Sequence, residues 1–285
     1  MKENIESEVK IIPEIMSSFG LKAPEDIART KYGANHNYAI KTAKGDYFVR
    51  FLLTQTAEDI ENEVAVQNQL KEAGITTPIY IKGKNGQQVF GKDGVKAVIS
   101  KRIEGVIPEK TNAKLARDFG QKLVVFHKSV TELPRSNDKA LMNPKTSGIT
   151  STIFDQQLPS GIIHGELWAG NVLVDSADQD KIVAVLDFED VDKNIYIIDL
   201  AVTLMAVCTY PEDKYSIDPA LIRAVVDGYE SVRKLNEDEK SWLPEAMKYA
   251  AKAWIKFFKD KGSDNYAEEH QHRLDSFLSQ KIRFD

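Results

Sequence analysis

Residues 161–175 read GIIHGELWAGNVLVD, and residues 181–190 read KIVAVLDFED. Each segment contains a short apolar run rich in β-branched residues, at 172–174 in the first and 182–186 in the second. Such runs favour β-strands, and the polar residues 176–180 between them are typical of a turn. The two segments therefore predict an antiparallel hairpin.

Polar side chains flank the open end of this predicted hairpin. Opposed residue numbers in an antiparallel pair share one sum, so a turn centred on 178 and 179 places Asn171 opposite about Asp187. An amide and a carboxylate are oxygen ligands suited to a hard cation such as Mg²⁺. Glu166 precedes Asn171 by five residues, which is the spacing of the acid and the metal-binding asparagine in kinase catalytic loops. The pattern predicts a site that contains Glu166, Asn171 and Asp187.

The first third of the chain reads as sheet with one helix. Short runs of β-forming residues are separated by turn residues, and a segment of helical period with an acidic N-terminal half ends before Gly74. The predicted strands cover residues 27–32, 38–42, 47–52, 87–90 and 95–100, and the predicted helix covers residues 57–73.

Beyond residue 105 the pattern is mostly helical. Apolar residues recur at intervals of three and four, which is typical of amphipathic helices. The segment 131–157 is polar and poorly patterned, and we expect a loop region with some helix there. The organisation predicts a sheet-rich lobe at 1–102 and a helical lobe at 103–285. The predicted helices of the second lobe include residues 115–126, 221–232 and 243–257.

The composition excludes several classes of protein. The 285 residues include 38 Lys and Arg against 43 Asp and Glu, for a net charge of -5, and 42% are hydrophobic. This balance argues against a protein that coats nucleic acid and against a disordered chain. The single cysteine, Cys208, cannot form an internal disulfide, and the most apolar stretch, 195–208, is shorter than the ~20 residues of a membrane span. We expect a cytoplasmic protein without nucleic-acid or membrane partners, and its oligomeric state stays open.

Several motifs resemble those of the aminoglycoside phosphotransferase and choline kinase superfamily. Residues 164–173, HGELWAGNVL, resemble the H-G-D-L-H-x-G-N-V-L motif, while LDFED at 186–190 and IDLA at 198–201 resemble its D-F-x-D-A and D-L-A motifs. Residues 48–50 resemble the family's third strand, and residues 74–78 resemble its G-I-P-V-P segment. Within the superfamily, the size and lobe lengths are most like those of homoserine kinases with the kinase-like fold.

The resemblance implies an α+β, protein-kinase-like fold of two lobes, with a small β-rich N-terminal lobe and a larger helical C-terminal lobe. Residues 1–102 would bind the nucleotide, and residues 103–285 would carry the catalytic and substrate-binding groups. The implied activity is transfer of the γ-phosphate of ATP to a hydroxyl of a small molecule, such as homoserine, choline, a sugar or an aminoglycoside.

The resemblance also implies a role for each candidate residue. Glu166 would orient the substrate hydroxyl or accept its proton, and Asn171 with Asp187 would hold Mg²⁺ between the ATP phosphates. Arg50 would bind the phosphates while it pairs with Glu63. Gly33 would belong to the loop that covers the nucleotide.

Other interpretations of these residues stay open. The family has aspartate at the position of Glu166, so the alternative function is a nucleotide-binding pseudokinase with weak or no catalysis. A protein kinase is disfavoured because only 11 residues separate Asp187 from Asp199, with no A-P-E segment. His164 is expected to be a structural histidine, and Asp199 is expected to tether the catalytic loop through hydrogen bonds. His270 and His272 are expected on a polar surface and not at a metal.

Overall fold

The computed structural model describes residues 2–30 and 35–284. Two compact units divide the chain. The first extends to Asn68 and includes Thr77–Ile103, and the second contains Gln69–Thr76 and the residues from Glu104 onward. The proposed division of roles between residues 1–102 and 103–285 stays a prediction.

The first unit is built on a five-stranded sheet in which every neighbouring pair is antiparallel, in the order β1-β2-β3-β5-β4. The elements in chain order are α1 (Lys2–Ser18), β1 (Asp26–Arg29), β2 (His36–Thr42), β3 (Gly45–Phe51), α2 (Ala57–Glu72), β4 (Phe90–Lys92) and β5 (Val95–Lys101). The meander, the helix and β5 confirm the sequence prediction, except that the strand predicted at 27–32 ends at Arg29, and residues 31–32 lie outside the described residues. The strand predicted at 87–90 is wrong in its bounds, because the pairing with β5 begins only at Phe90.

The prediction of a single helix in the first third was wrong, because α1 also forms there. Its apolar face packs on one face of the sheet, where side chains of β2, β3 and β5 alternate inward. Residues of α2 pack with a smaller apolar cluster that includes Val98, on the other face of β5. The core cluster that joins α1 to the sheet includes Ile12, Ile15, Met16, Phe19, Tyr38, Ile40, Tyr47, Val49, Phe51 and Ile99.

The second unit is mainly helical and carries three two-stranded sheets. Its elements are α3 (Ala113–Ser129), α4 (Pro144–Ser147), β6 (Ser160–Ile163), β7 (Val172–Val174), β8 (Ile182–Val185), β9 (Asp192–Ile195), α5 (Tyr196–Val207), β10 (Thr209–Tyr210), β11 (Asp213–Ile217), α6 (Pro219–Glu230), α7 (Glu237–Asp260) and α8 (Asp264–Gln280). The predicted hairpin is present as β7 and β8.

The segment 131–157 contains only short helices, as expected. Two strands that flank the hairpin, β6 and β9, were not predicted. They pair with each other, with Ile163 opposite Asp192. Among the described residues, no helix is both long and apolar enough to cross a membrane.

Candidate active site

The loop His164–Asn171 connects β6 to β7 and carries the predicted catalytic residue. Because β6 pairs with β9, the start of this loop lies beside the chain that returns from the hairpin. The segment Leu186–Val191 connects β8 to β9 and contains Asp187. Both segments, 164–171 and 186–191, therefore run between the β6–β9 pair and the β7–β8 pair.

Asp199, in the first turn of α5, holds the beginning of the loop. Its Oδ2 accepts the backbone N–H of His164 at 2.7 Å, and its Oδ1 accepts that of Gly165 at 2.8 Å. His127 Nε2 lies 2.9 Å from Oδ2. Burial alone would raise the pKa of Asp199, but the contact and charge of His127, together with His164, outweigh it and lower this pKa. The predicted tether is confirmed.

His164 joins the loop to the end of β8. Its Nε2 lies 3.1 Å from the carbonyl oxygen of Leu186, and its Nδ1 accepts the N–H of Glu166 at 3.3 Å. The ring is 1% exposed, and this burial lowers its pKa. A neutral imidazole with one donor and one acceptor nitrogen satisfies both contacts, which agrees with the expected structural role.

Gly165 allows the loop to lie against the segment that follows Asp187. Its φ is +82°, a conformation that favours glycine. A Cβ at this position would lie 2.6 Å from the carbonyl oxygen of Asp190, which is too close for a real contact. The glycine therefore permits the close approach of Glu166 and the acids around Asp187.

Asn171 binds Glu166 directly. Its Nδ2 donates to the Glu166 carbonyl oxygen at 2.9 Å and to Glu166 Oε2 at 3.2 Å. The amide nitrogen is thus engaged within the loop, and Oδ1 is the atom of Asn171 that suits a cation. This geometry brings two of the predicted site residues together.

The register of the hairpin differs by one residue from the prediction. Val172 pairs with Val185, and Leu186 donates its N–H to the carbonyl of Asn171 at 2.8 Å, so Leu186 and not Asp187 lies opposite Asn171. Val172–Val185 and Leu173–Ala184 fit the constant sum of a turn centred on 178 and 179, and that sum strictly places Leu186 opposite Asn171, so the predicted position of about Asp187 was one residue too far along the chain. Asp187 follows the last pairing and has a φ of +61°. Backbone strain of this kind is concentrated at functional sites.

Carboxylates dominate the electrostatics of the site. Burial, followed by the charges of Asp190 and Asp187, raises the pKa of Glu166 well above its usual value, while the hydrogen bond from Asn171 opposes the shift. The pKa of Asp190 rises to about 6 because of burial and the charge of Asp187, although the N–H of Leu141 binds its Oδ1 at 2.8 Å. Like charges and desolvation thus favour a cation or a proton here.

The donor set fits Mg²⁺. In residues 2–30 and 35–284, no group of three His, Cys, Asp or Glu side chains is arranged to hold a metal. Mg²⁺ usually binds through one or two carboxylates together with phosphates and water, and not in a cage made only of protein atoms. One amide oxygen from Asn171 and one carboxylate from Asp187, beside further negative charge, match that requirement.

In the first unit, the structure pairs Arg50 with Glu63. Arg50 Nη2 lies 2.5 Å from Glu63 Oε1, and both side chains are largely buried. The Glu63 carboxylate also accepts hydrogen bonds from Gln55 at 2.9 Å and from the hydroxyl of Tyr80 at 2.6 Å. The predicted pair forms, and its contact with ATP stays a prediction. Gly33, predicted for the nucleotide loop, lies outside the described residues.

Sequence reasoning gave no role to two residues that shape the site. Asp190 could have been found, because it is a second acid three residues after Asp187. Asn137 lies in the polar segment without a pattern. Its Nδ2 donates to the carbonyls of Glu189 at 2.7 Å and Val191 at 3.1 Å, so it holds the backbone that follows Asp187.

Two further side chains that the sequence singled out are Trp168, in the catalytic loop, and His270, near the C-terminus. Trp168 is 44% exposed, and its ring leaves no room for a Cβ at Gly170. His270 was expected on a polar surface, but it stacks on Trp254 and Phe258, and burial lowers its pKa to about 4. His272 is exposed on the same helix.

Comparisons with known proteins agree with this architecture. The family model described as "Phosphotransferase enzyme family" matches residues 31–146 and 139–235. Homoserine kinase of Bradyrhizobium diazoefficiens is 26% identical over 244 residues, which covers 76% of this chain and 73% of the relative. Homoserine kinase of Nitrobacter hamburgensis is 26% identical over 243 residues, with the same two coverages.

Solved structures share the fold. Amicoumacin kinase hAmiN, in complex with AMP-PNP, Ca²⁺ and Ami, has a TM-score of 0.76 at 15% identity and covers 100% of this chain and 98% of its own. A microcompartment-associated aminopropanol kinase has a TM-score of 0.73 at 17% identity and covers 95% and 98%. These likenesses confirm the predicted α+β, protein-kinase-like fold class.

Proposed function

Because the chain belongs to the phosphotransferase enzyme family, we propose that it transfers the γ-phosphoryl group of ATP to a hydroxyl group of a small molecule. The observation that carries this proposal is the contact of Glu166 with Asn171 on a loop next to Asp187. An acid, an amide and a second acid supply the three protein groups that kinases use to orient a hydroxyl and to hold metal-bound phosphates.

Glu166 is the proposed catalytic residue. Phosphoryl transfer through a loose transition state depends mainly on positioning and on charge stabilisation. The raised pKa of Glu166 makes its carboxylate a better proton acceptor than an exposed glutamate. Asn171 binds the same carboxylate at Oε2 and so restricts its rotation. We propose that Glu166 orients the acceptor hydroxyl and takes its proton as the phosphate bond forms.

Asn171 and Asp187 are the residues that would hold Mg²⁺, which when bound supplies positive charge to the phosphate oxygens. The hydrogen bond from Leu186 to Asn171 and the positive φ of Asp187 fix the backbone position from which the Asp187 side chain extends. Asp199 and His164 keep the Glu166 loop in register with that segment. These hydrogen bonds thus hold the proposed catalytic residue, Glu166, next to the proposed metal ligands.

Arg50 is proposed to bind the ATP phosphates. Its guanidinium is held by Glu63, whose carboxylate is itself fixed by Gln55 and Tyr80. An arginine oriented in advance loses little conformational freedom when it binds an anion. Glu63 acts by holding Arg50 and does not need to contact the nucleotide.

The acceptor is proposed to be an amino alcohol, with homoserine as the first compound to test. Two similarities support this proposal. Homoserine kinases match about three quarters of the chain, and an aminopropanol kinase shares its fold. Choline, a simple sugar and an aminoglycoside extend the panel to the other acceptors that the family resemblance implies.

A nucleotide-binding pseudokinase is the second candidate function. The observation that favours it is Glu166 at the position where the family motif has aspartate. The extra methylene can displace the carboxylate by about 1 Å, and an error of this size can cost about a hundredfold in rate.

One assay separates the two candidates. ADP release and phosphate incorporation are measured with Mg²⁺-ATP and each acceptor, for wild type, Glu166→Gln and Glu166→Asp. We expect acceptor-dependent turnover in wild type, a strong loss in Glu166→Gln because the acceptor charge is removed at constant size, and retained or higher activity in Glu166→Asp. Equal turnover of wild type and Glu166→Gln would refute the catalytic assignment. Nucleotide binding without transfer by wild type and Glu166→Asp alike would favour the pseudokinase.

A further inference from the structure

We infer that Glu8, on the N-terminal helix α1, is a positioning residue for nucleotide binding, because it fixes the part of β2 that pairs with the Arg50 position of β3. The inference rests on the proposed function, in which Arg50 binds the ATP phosphates. Helix α1 precedes residue 31, where the match to the family model begins.

The first observation is a buried carboxylate that bridges a helix and a strand. Glu8 is 8% exposed. Its Oε1 lies 2.6 Å from His36 Nδ1, and its Oε2 accepts the hydroxyl of Tyr38 at 2.6 Å. One side chain of α1 therefore engages two alternate residues of β2, both with short contacts.

The second observation is the register of the sheet. His36 and Tyr38 lie on either side of Asn37, and Asn37 is the residue of β2 that pairs with Arg50 of β3. Alternate residues of a strand point to opposite faces. Glu8 therefore holds β2 from one face, at the level of the sheet from which Arg50 extends on the other face to Glu63.

The third observation concerns what a carboxylate adds to this contact. Apolar side chains of α1, including Ile12, Ile15 and Met16, already pack against the sheet and stabilise its association with the helix. A carboxylate at a mainly apolar junction carries a desolvation cost and needs directional partners. The same environment raises the pKa of Tyr38 to about 12 through burial and the Glu8 hydrogen bond. Such a group defines a position along the strand more than it adds stability.

Together these contacts fix the strand pair from both faces. Glu63 engages Arg50 from the α2 side, and Glu8 engages β2 from the α1 side. If Glu8 is lost, the Arg50–Glu63 pair and the ladder between β2 and β3 remain, but β2 loses its hydrogen-bonded attachment to α1 beside the residue that pairs with Arg50. The expected consequence is weaker ATP binding with little change in the chemical step.

The test compares Glu8→Ala with Glu14→Ala as a matched control. Glu14 lies on the same helix and pairs with Lys92, but that pair is half exposed. The KM for ATP, kcat and Tm are measured for both variants and for Glu8→Gln. We expect Glu8→Ala to raise the KM for ATP about fivefold with kcat within about twofold, Glu14→Ala to change neither, and Glu8→Gln to recover most of the loss because its amide can still bind both partners.

The results that would overturn the inference are distinct. A lower Tm for Glu8→Ala with an unchanged KM for ATP would mean that Glu8 contributes only to stability. A parallel rise in KM for Glu14→Ala would mean that any change in α1 has this effect. If Glu8→Ala does not fold, Tyr38→Phe removes one of the two contacts at nearly constant volume, and an unchanged KM for ATP in that variant would also overturn the inference.

A measurement without turnover separates this inference from the proposed function. Amide hydrogen exchange is followed at Tyr38 and Val49, the pair next to Asn37 and Arg50 whose backbone amides face each other between β2 and β3, in the unliganded wild type, Glu8→Ala and Glu14→Ala. Faster exchange at these two amides in Glu8→Ala alone supports the positioning role even if wild type transfers no phosphate to any acceptor. Equal exchange in all three proteins refutes it, whether or not the enzyme is active.

Discussion

Two groups of carboxylates in the second unit have opposite electrostatic environments. Asp199 receives two backbone N–H groups and a contact from His127, and its pKa is lowered. Glu166 and Asp190 lie among other acids, and their pKa values are raised. All three are acids in or next to the same two segments, so the difference comes from what surrounds each group.

The comparison separates carboxylates that hold the fold from those that are prepared for chemistry. The carboxylate oxygens of Asp199 accept hydrogen bonds from backbone N–H groups, so its negative charge stabilises the folded state. Glu166 and Asp190 lie where burial and like charges disfavour their charged forms, and such perturbed groups are typical of functional sites. Four substitutions test whether residues that stabilise the fold and residues that serve activity respond differently.

The largest expected effect is on activity, from Asp187→Asn. Asparagine has nearly the same size and tolerates the positive φ at this position, but it removes a charged metal ligand. We expect Mg²⁺-dependent transfer to fall by about a hundredfold or more while the melting temperature stays close to that of wild type. Asp178→Asn, in the exposed turn of the same hairpin, is the control. Unchanged turnover in Asp187→Asn would remove Asp187 from the site.

Asp199→Asn is expected to act on stability first. The amide group presents N–H donors to a site that already contains the N–H groups of His164 and Gly165. We expect a loss of about 3 kcal/mol in the free energy of unfolding, measured by urea denaturation, because breaking a buried hydrogen-bonded charge costs roughly this much. The exposed pair of Asp227 with Arg117 provides a control, and Asp227→Asn should change stability by less than about 0.5 kcal/mol. If Asp199→Asn and Asp227→Asn lower the free energy of unfolding by the same small amount, Asp199 does not stabilise the fold in the way described.

His270 extends the comparison to a partly buried base. Its Nδ1 has no hydrogen-bond partner among the described residues, and its pKa of about 4 reflects burial and then the charge of Arg273. Below the unfolded pKa of about 6.5 the unfolded chain binds the proton first, so stability is lost as the pH falls from about 6.5 towards 4. We expect a loss of about 2 kcal/mol between pH 7.5 and pH 5 that is absent in His270→Phe.

The control for this titration is His272→Gln, since His272 is exposed on the same helix. Thermal unfolding at the two pH values measures the effect in each protein. If wild type and His270→Phe lose the same stability between these values, the ring is not held in its neutral form by the fold.

The smallest expected effect concerns the first unit. Glu63 resembles Asp199 in that three donors bind it, but one of them, Arg50, is also the proposed phosphate ligand. Arg50→Ala should raise the KM for ATP or lower kcat by about tenfold, because a charge-assisted contact of about 1.5–3 kcal/mol is removed. Arg102→Ala, which breaks an exposed contact with Asp46 in the same unit, is the control. Kinetics within about twofold of wild type would mean that Arg50 serves only Glu63.

Local sequence patterns predicted much of this molecule because they report local interactions. The apolar, β-branched runs at 172–174 and 182–186 predicted the hairpin, and the helical period of residues 57–73 and 221–232 predicted α2 and α6 to within a few residues. The motif spacing also identified Glu166 and Asn171, which the fold brings into contact. Helix α1 was missed although Ile12, Ile15, Met16 and Phe19 recur at intervals of three and four residues, the spacing of an amphipathic helix, and form the face that packs on the sheet.

The sequence by itself determined the fold class, the hairpin and the chemical types at the site, because periodicity and motif spacing are properties of neighbouring residues. Only the tertiary structure decided the role of Asn137 and the contacts of Glu8 with β2. These features depend on contacts between residues 28 to 54 positions apart. The free energy of such contacts depends on where distant segments meet in the folded chain, and no local pattern specifies that place.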